Sequence, residues 1–286
     1  MTPDYVTLYI NTAFGGQDPT SFFALFFLFL GRMLPIISLA PFFGAKVLPH
    51  PVKMALAISL FAIFMPQLLF ITTSPLSFNM ALMAYFMKEL LVGVIIGYMV
   101  SIPFIIVQNA GIMIDHQRGG ASLMVNDPTI QNQSSPLGTI FNLVLIYLFF
   151  LMGGPFLVID IVSQSYSILP PDQFMDPHFF NLDSQIVQDI VKIMGKVMIL
   201  STQLAGPALI MILMTDFFLG IANRLAPQVQ ITFLGMPLKS LLALAIVFFG
   251  WQLFNEQMVN ETYKWINHLY NMVDLFHPSK PLSAPP

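Results

Sequence analysis

The stretch "FNMALMAYFMKELLVGVIIGYMVSIPFIIV", residues 78–107, decides the fold class of this chain. It is longer than the roughly 20 apolar residues that a helix needs to cross a bilayer. Lys88 and Glu89 nevertheless lie side by side within it, and Pro103 lies near its end. Charged residues inside a membrane helix are costly, and they usually face protein or water rather than lipid. We therefore predict a long membrane helix whose charged residues either snorkel toward the membrane surface or face protein.

The composition of the whole chain agrees with this interpretation. Of its 286 residues, 56% are hydrophobic and only 9% are charged, whereas soluble domains carry about 25% charged residues. The net charge of -3 offers no basic face for phosphates, so we expect no nucleic-acid partner. Because the chain has no cysteine, it has no disulfide and no thiolate metal site.

Six apolar runs predict an all-α fold of packed helical hairpins, with about six long apolar helices. We divide the chain into an N-terminal segment 1–20, a helical domain 21–255 and a polar C-terminal segment 256–286. The Pro/Ser-rich end "HPSKPLSAPP" is predicted to be disordered. The six runs are residues 21–43, 54–72, 78–107, 137–163, 187–218 and 231–254.

Three charged residues within these runs, Arg32, Lys88 and Glu89, need partners. Adjacent helical residues point about 100° apart, so we predict that Lys88 and Glu89 do not pair with each other. Each then needs a partner elsewhere in the chain or in a neighbouring subunit. A structural ion pair is favoured over an ion-coupling site. Two interpretations of the helices stay open: they kink or snorkel in lipid, or they face protein in an assembly.

Two stretches of the chain are similar to each other. "APFFGAKVLPHPVK" (40–53) and "APQVQITFLGMPLK" (226–239) both have Ala-Pro and then Pro-apolar-Lys after equal spacing. We predict that the proline of each Pro-apolar-Lys starts a helix. We favour the explanation that two unrelated helical hairpins have converged on the same turn residues. The alternative is that the protein is built from related hairpins in parallel orientation. The matched residues are Pro41, Pro51 and Lys53, and Pro227, Pro237 and Lys239. Near the second stretch, Asp216 and Arg224 are predicted to form a local salt bridge.

A polar cluster interrupts the chain after the third apolar run, in "QNAGIMIDHQRGGASLMV" (108–125). Its glycines permit non-helical backbone and a hinge-like change. An acid and a base lie close enough to pair, and a methionine could seal against apolar neighbours. A plain cytoplasmic loop and a small movable plug both fit, and the residues alone favour the loop. The residues concerned are Gly111, Met113, Asp115, Arg118, Gly119 and Gly120.

Catalytic motifs are missing from the sequence. It has no Gly-rich phosphate loop, no His-Glu-x-x-His zinc motif and no Gly-x-Ser-x-Gly nucleophile turn. We therefore expect no enzyme activity, no metal site and no cofactor.

Five stretches, taken in order, resemble the T-type subunit of the type III secretion export apparatus, the SctT/FliR family. The resemblance runs from about Phe22 to Trp251, and the order and spacing of the motifs make it specific. Gln230 is a departure, because flagellar relatives commonly have Asn there, and with "TFLGMPLKS" it favours an injectisome. The stretches are "GRMLPIISLAPFFG", "KELLVGVIIG", "NAGIMIDHQRG", "NDPTIQNQSSPLG" and "DFFLGIANRLAPQVQITFLGMPLK", the last of which includes Gln228.

This resemblance implies a non-catalytic component of a protein-conducting export gate in the bacterial inner membrane, with a role in virulence if the system is an injectisome. Its partners would be R-type and S-type gate subunits, the U-type switch protein and the V-type export ring. Its cargo would be unfolded secreted proteins. Segment 108–126 would be a plug in the closed pore, and Arg32, Lys88 and Glu89 would be charges buried in the assembly. The alternative is a stand-alone secondary transporter or channel for a small solute.

Overall fold

The computed structural model describes residues 19–43, 48–72, 76–120, 135–174, 185–225 and 231–274, and no strand occurs in these ranges. The predicted all-α fold is confirmed. The helices of the described residues are α1 (Pro19–Leu39), α2 (His50–Ile71), α3 (Met80–Asp115), α4 (Pro136–Leu151), α5 (Gly154–Ile168), α6 (Gln185–Leu225), α7 (Ile231–Phe249) and α8 (Trp251–Asp274).

Among the described residues, four helices are long and apolar enough to cross a membrane, namely α1, α2, α3 and α6. The number rises to six if α4 with α5 and α7 with α8 each count as one span. These two pairs are bent by 72° and 66°, so the predicted runs 137–163 and 231–254 are not single straight helices. The first bend follows Gly153, whose φ of 71° lies in the left-handed region that glycine adopts readily.

Helix α3 is longer than its apolar run predicts. It continues through residues 108–115, and a widened π-type turn, His116–Gly120, follows it. The prediction of non-helical backbone is therefore wrong for residues 108–115. It holds at Gly119, where φ is 95°. Residues 121–126 of the predicted plug lie outside the described residues.

Helix α8 occupies most of the segment that the sequence marks only as polar. Its 24 residues are amphipathic, and one side buries Met258, Trp265 and Leu269. A helix needs only one apolar stripe to pack against a protein core, so a polar average composition does not exclude it. The predicted disordered tail, residues 275–286, lies outside the described residues.

The chain forms two compact units. Unit 1 comprises Met1–Ser101, Gly153–Gln188 and Ile266–Pro286, and unit 2 comprises Ile102–Met152 and Asp189–Trp265. In unit 1, α1 and α5 both pack against α2. Aromatic rings fill the space between these three helices, with centroids 5.4 to 6.3 Å apart: Phe29, Phe61, Phe64 and Tyr166.

Two glycines of α3 let α1 approach closely in unit 1. A Cβ on Gly93 would lie 2.3 Å from the carbonyl oxygen of Arg32, and one on Gly97 would lie 3.0 Å from the Cα of Ile36. Small residues four apart on one helix face allow this kind of backbone contact between membrane helices. Glu89 lies one turn before Gly93, so the same crossing brings Glu89 next to Arg32.

A similar contact joins α3 and α4 in unit 2. A Cβ on Gly111 would lie 2.4 Å from the amide nitrogen of Gly138. In the same unit, the turn His116–Gly120 packs on α7. The end of α3 is therefore enclosed by two other elements.

Candidate functional site

The described residues contain two polar clusters inside otherwise apolar packing, one in each unit. In unit 1, Arg32 is fully buried and donates two hydrogen bonds to the Glu89 carboxylate, 2.5 Å from Nε and 2.9 Å from Nη2. It also donates to the Ser165 hydroxyl at 3.0 Å and to the Leu169 carbonyl at 2.9 Å. Its guanidinium lies 4.0 Å from the centre of the Tyr166 ring. A buried charge is tolerated when it is paired and hydrogen-bonded in this way.

Lys88 holds the chain segment that follows α5. Its ammonium donates to the carbonyls of Pro170 at 2.7 Å, Pro171 at 3.3 Å and Gln173 at 3.0 Å. It also lies 2.8 Å from a carboxylate oxygen of Glu89. An ammonium has three donors and no acceptor, so a set of carbonyls and one carboxylate suits it.

The prediction that Lys88 and Glu89 do not pair is wrong. A long lysine stem can bend toward a neighbouring carboxylate when other acceptors hold its end in place, and the 100° spacing concerns the Cβ directions only. The prediction that Glu89 also needs a partner outside its own helix is confirmed by Arg32. That partner lies in the same chain, which selects the first of the two predicted alternatives.

The unit 2 cluster is centred on Asp115, at the last position of α3. Its side chain is 1% exposed, and its two oxygens accept bonds from different elements. Oδ2 accepts from the Ser135 hydroxyl at 2.5 Å and from the Leu137 amide at 2.9 Å. Ser135 is also the N-cap of α4, and its hydroxyl accepts from the Gly138 amide. A carboxylate at a helix N-terminus satisfies unpaired amides and interacts favourably with the helix dipole.

Arg118 links this cluster to α7. Its Nε donates to Asp115 Oδ1 at 2.7 Å, so the predicted pairing of these two residues is confirmed. Its Nη1 donates to the hydroxyl of Ser240 at 3.1 Å. Beside it, a Cβ on Gly119 would lie 3.8 Å from Cγ of Met236. Gly120 ends the turn.

The other predicted residue of this region, Met113, lies on α3 with its sulfur 3.8 Å from the Thr202 hydroxyl of α6. Its neighbour Ile114 is fully buried. Met113 therefore contacts a polar group of α6.

The predicted salt bridge between Asp216 and Arg224 does not form. Both residues lie on α6, eight positions and roughly 12 Å apart along its axis, and Asp216 pairs with Lys239 of α7 instead. These two side chains are 43% and 23% exposed, and exposed pairs contribute little to stability. The pair marks where α6 and α7 come together.

The two proline-containing stretches differ in structure. Pro51 lies in the first turn of α2, as predicted, whereas Pro237 lies inside α7, so the prediction that it starts a helix is wrong. Pro41 begins a short 3-10 turn, Pro41–Phe43. Lys53 is buried in α2. Pro227 and Gln228 lie outside the described residues.

Sequence reasoning missed Ser165, Ser240 and the backbone carbonyls that bind Lys88. Ser135 carries a local signal, because Ser followed by Pro is typical of a helix N-terminus. Ser240 has no such signal, since nothing near it in the sequence points to a partner 122 positions away.

Unit 2 also has an apolar cavity of about 320 Å³ between α3, α6, α7 and α8. Pro103, Pro207 and Val247 are among its lining residues. No three His, Asp or Glu side chains of the described residues lie close enough together to hold a metal ion. In unit 1, Arg32 and Lys88 engage both oxygens of Glu89, so this carboxylate is not free to act as a base.

Comparison with known proteins identifies a family. The sequence model of bacterial export proteins, family 1, matches residues 23–264. The Yop proteins translocation protein T of Yersinia pestis is 32% identical over 157 residues, which cover 54% of this chain and 58% of that protein. This match therefore spans less than two thirds of the length of the Yersinia protein.

Two further relatives align over a larger part of the chain. The secretion system apparatus protein SsaT of Salmonella typhimurium is 28% identical over 215 residues, covering 75% of this chain and 80% of that protein. The flagellar biosynthetic protein FliR of Pectobacterium carotovorum is 27% identical over 225 residues, covering 79% of this chain and 83% of that protein.

Proposed function

Because this chain belongs to the family of bacterial export proteins, family 1, we propose that it is a non-catalytic subunit of a type III secretion export gate in the bacterial inner membrane. The observation that carries the proposal is the family match over residues 23–264, which runs from the first turns of α1 into α8. The names of the relatives concern translocation, secretion and flagellar biosynthesis. They favour a gate subunit over the stand-alone transporter.

An injectisome is the system that we propose. Support comes from relatives named for Yop translocation and for a secretion system apparatus, and from Gln230 in place of the Asn that is common in flagellar relatives. The flagellar relative is similar to nearly the same extent, so the system is tested best by function. Restored effector secretion in a strain without its own T-type subunit supports this assignment, and restored motility alone contradicts it.

The partners that we propose are R-type and S-type gate subunits, the U-type switch protein and the V-type export ring, with unfolded secreted proteins as cargo. Support comes from α6 and α7, which expose many large apolar side chains on unit 2. An accumulation of exposed large apolar side chains favours contacts with protein or lipid. Examples are Ile210, Phe217, Phe218, Leu225, Phe248 and Phe249.

Purification tests this assignment. The chain is co-expressed with R-type and S-type subunits and extracted in a mild detergent. We expect one complex that contains all three proteins. A chain that is monodisperse alone and that moves a small solute in liposomes would establish the transporter instead.

The turn His116–Gly120 is the part of the predicted plug that we propose as a component of the closed gate. It is supported by the left-handed Gly119, which ends the helical path, and by contacts that hold the turn against α7. Deleting residues 116–120 leaves Asp115 and its contacts with α4 in place. We expect the deletion variant to assemble and to leak ions across the membrane. Lys196→Met, on the exposed side of α6, is the control and keeps the permeability of the wild type.

A further inference from the structure

We infer that the hydrogen bond between Arg118 and Ser240 is the release point of the turn His116–Gly120, and that Asp115 is its fixed anchor. The inference rests on the proposed function, since it concerns how the same turn is held and freed. Ser240 thereby becomes a positioning residue for gate closure.

Asp115 is held to α4 by more than one contact. Asp115 accepts from the Ser135 hydroxyl and the Leu137 amide through one oxygen, and from Arg118 through the other. The helices behind it are in backbone contact at Gly111 and Gly138. Separating the two helices would leave the buried Oδ2 of Asp115 without its two donors, which is a costly change inside a protein. This side of the turn is therefore expected to stay together.

The opposite side of the turn is held more weakly. Arg118 Nη1 reaches α7 through a bond of 3.1 Å to one neutral hydroxyl, that of Ser240. The Arg118 side chain is 17% exposed, so water can replace that hydroxyl when the bond opens. Next to it, Met236 lies beside Gly119 and is 54% exposed, so this part of the contact with α7 is open to water. The Arg118 guanidinium therefore keeps hydrogen-bond partners, namely Asp115 and water, when its bond to Ser240 opens.

Ser240 also lies where α7 is joined to α6. Its neighbour Lys239 pairs with Asp216 of α6, so the two helices are connected one residue away from the contact with the turn. A shift of the α6–α7 hairpin relative to the end of α3 acts on the Arg118–Ser240 bond, whereas the Asp115 cluster stays with α4. A movement of the hairpin is thus converted into release of the turn.

Two substitutions at Ser240 give opposite expectations. Ser240→Ala removes the acceptor for Arg118 and frees the turn. We expect the ion leak through the assembled closed gate to rise roughly fivefold or more, the lower end of typical coupling between linked sites. Ser240→Asp offers Arg118 a carboxylate, so the leak is expected to fall below that of the wild type and secretion to slow. Ser240→Thr keeps a hydroxyl and is expected to restore wild-type behaviour.

The measurements are ion flux into proteoliposomes that hold the purified gate complex, and secretion in cells. Ser59→Ala, an exposed serine of α2 that bonds only within its own helix, is the matched control. A merely structural role of Ser240 would lower the yield of complex for both the Ala and the Asp variant, without changing the leak in opposite directions.

The deletion of residues 116–120 distinguishes closure of the gate by this turn from release of the turn at Ser240. If the deletion leaks and Ser240→Ala does not, the release point is wrong although the turn closes the gate. If the deletion itself does not leak, closure by this turn is wrong, and the inference fails with it. Equal effects of the Ala and Thr variants would also overturn the inference.

Discussion

Arg32 shows how a single charged residue is accommodated inside an apolar helix. Its side chain is completely buried, and Glu89, Ser165 and the Leu169 carbonyl accept its hydrogen bonds. The sequence predicts that such a residue needs a partner, because an unpaired charge in this setting is costly. The structure identifies the partner and shows that this chain supplies it.

Removal of the carboxylate tests this arrangement. Glu89→Gln leaves Arg32 and Lys88 without their shared anion. We expect the free energy of unfolding to fall by about 3–5 kcal/mol, which is typical when one partner of a buried pair is lost. The thermal unfolding midpoint of the detergent-purified protein measures the effect. The double variant Arg32→Met, Glu89→Leu should lose less stability than the two single variants together. Strict additivity of the two losses would show that the residues are not coupled.

Lys88 is expected to matter for a different reason. Lys88→Met removes the donor that three backbone carbonyls of the segment after α5 share. A hydrogen bond to a charged group contributes about 1.5–3 kcal/mol to stability, so we expect the free energy of unfolding to fall by at least that amount. Proteolysis between α5 and α6 should also become faster. Lys196→Met, an exposed lysine of α6, provides the comparison, and equal stability of the two variants would contradict this role.

At the scale of single helices, the closest approach is decided by glycines. Gly93 brings α3 against the backbone of α1, and Gly111 brings it against α4. The apolar pattern of residues 78–107 predicts the helix but not these crossings, because any small residue in a helix is compatible with an open surface. The same pattern underestimates the length of α3 for a related reason. Polar residues at its end are satisfied by contacts with α4 and α7, which no local pattern reveals.

Gly93→Ala is the test at this scale. The added methyl group would lie 2.3 Å from the Arg32 carbonyl, so α1 must move away and the Arg32–Glu89 pair must stretch. We expect the free energy of unfolding to fall by about 1–3 kcal/mol, as at other overpacked positions. Gly195→Ala in α6 is the matched control, because its methyl group meets nothing within 4 Å. The Gly195→Ala variant should gain up to about 1 kcal/mol of stability from helix propensity. A similar loss of stability in both variants would argue against close packing at Gly93.

The whole molecule consists of two compact units, each with a polar cluster of its own. Helix α8 belongs partly to each, and it buries Met258, Trp265 and Leu269. Its polar composition led to the prediction of a polar C-terminal segment, whereas its apolar stripe is what packs. Residues 256–274 of that segment, which lie in α8, therefore contribute buried apolar side chains.

Truncation distinguishes this helix from the residues after it. Removing residues 251–286 deletes α8 and is expected to abolish assembly with R-type and S-type subunits, because buried apolar side chains of both units are lost. Removing residues 275–286 leaves the family match at 23–264 complete, and secretion should remain near the wild-type level. Co-purification and secretion assays measure both. A functional 1–250 chain would show that α8 is dispensable.

The order of the amino acids is enough to identify a helical membrane protein, to locate its apolar helices and to show which charged residues need partners. These properties depend on hydrophobic length and local periodicity, which neighbouring residues specify. Helix packing in the folded chain determines that Arg32 pairs with Glu89, that Lys88 holds the segment after α5, and that Arg118 reaches Ser240. Such contacts depend on which helices cross and how closely. Gly93 and Gly111 determine that closeness only when the backbone of a particular partner helix lies against them.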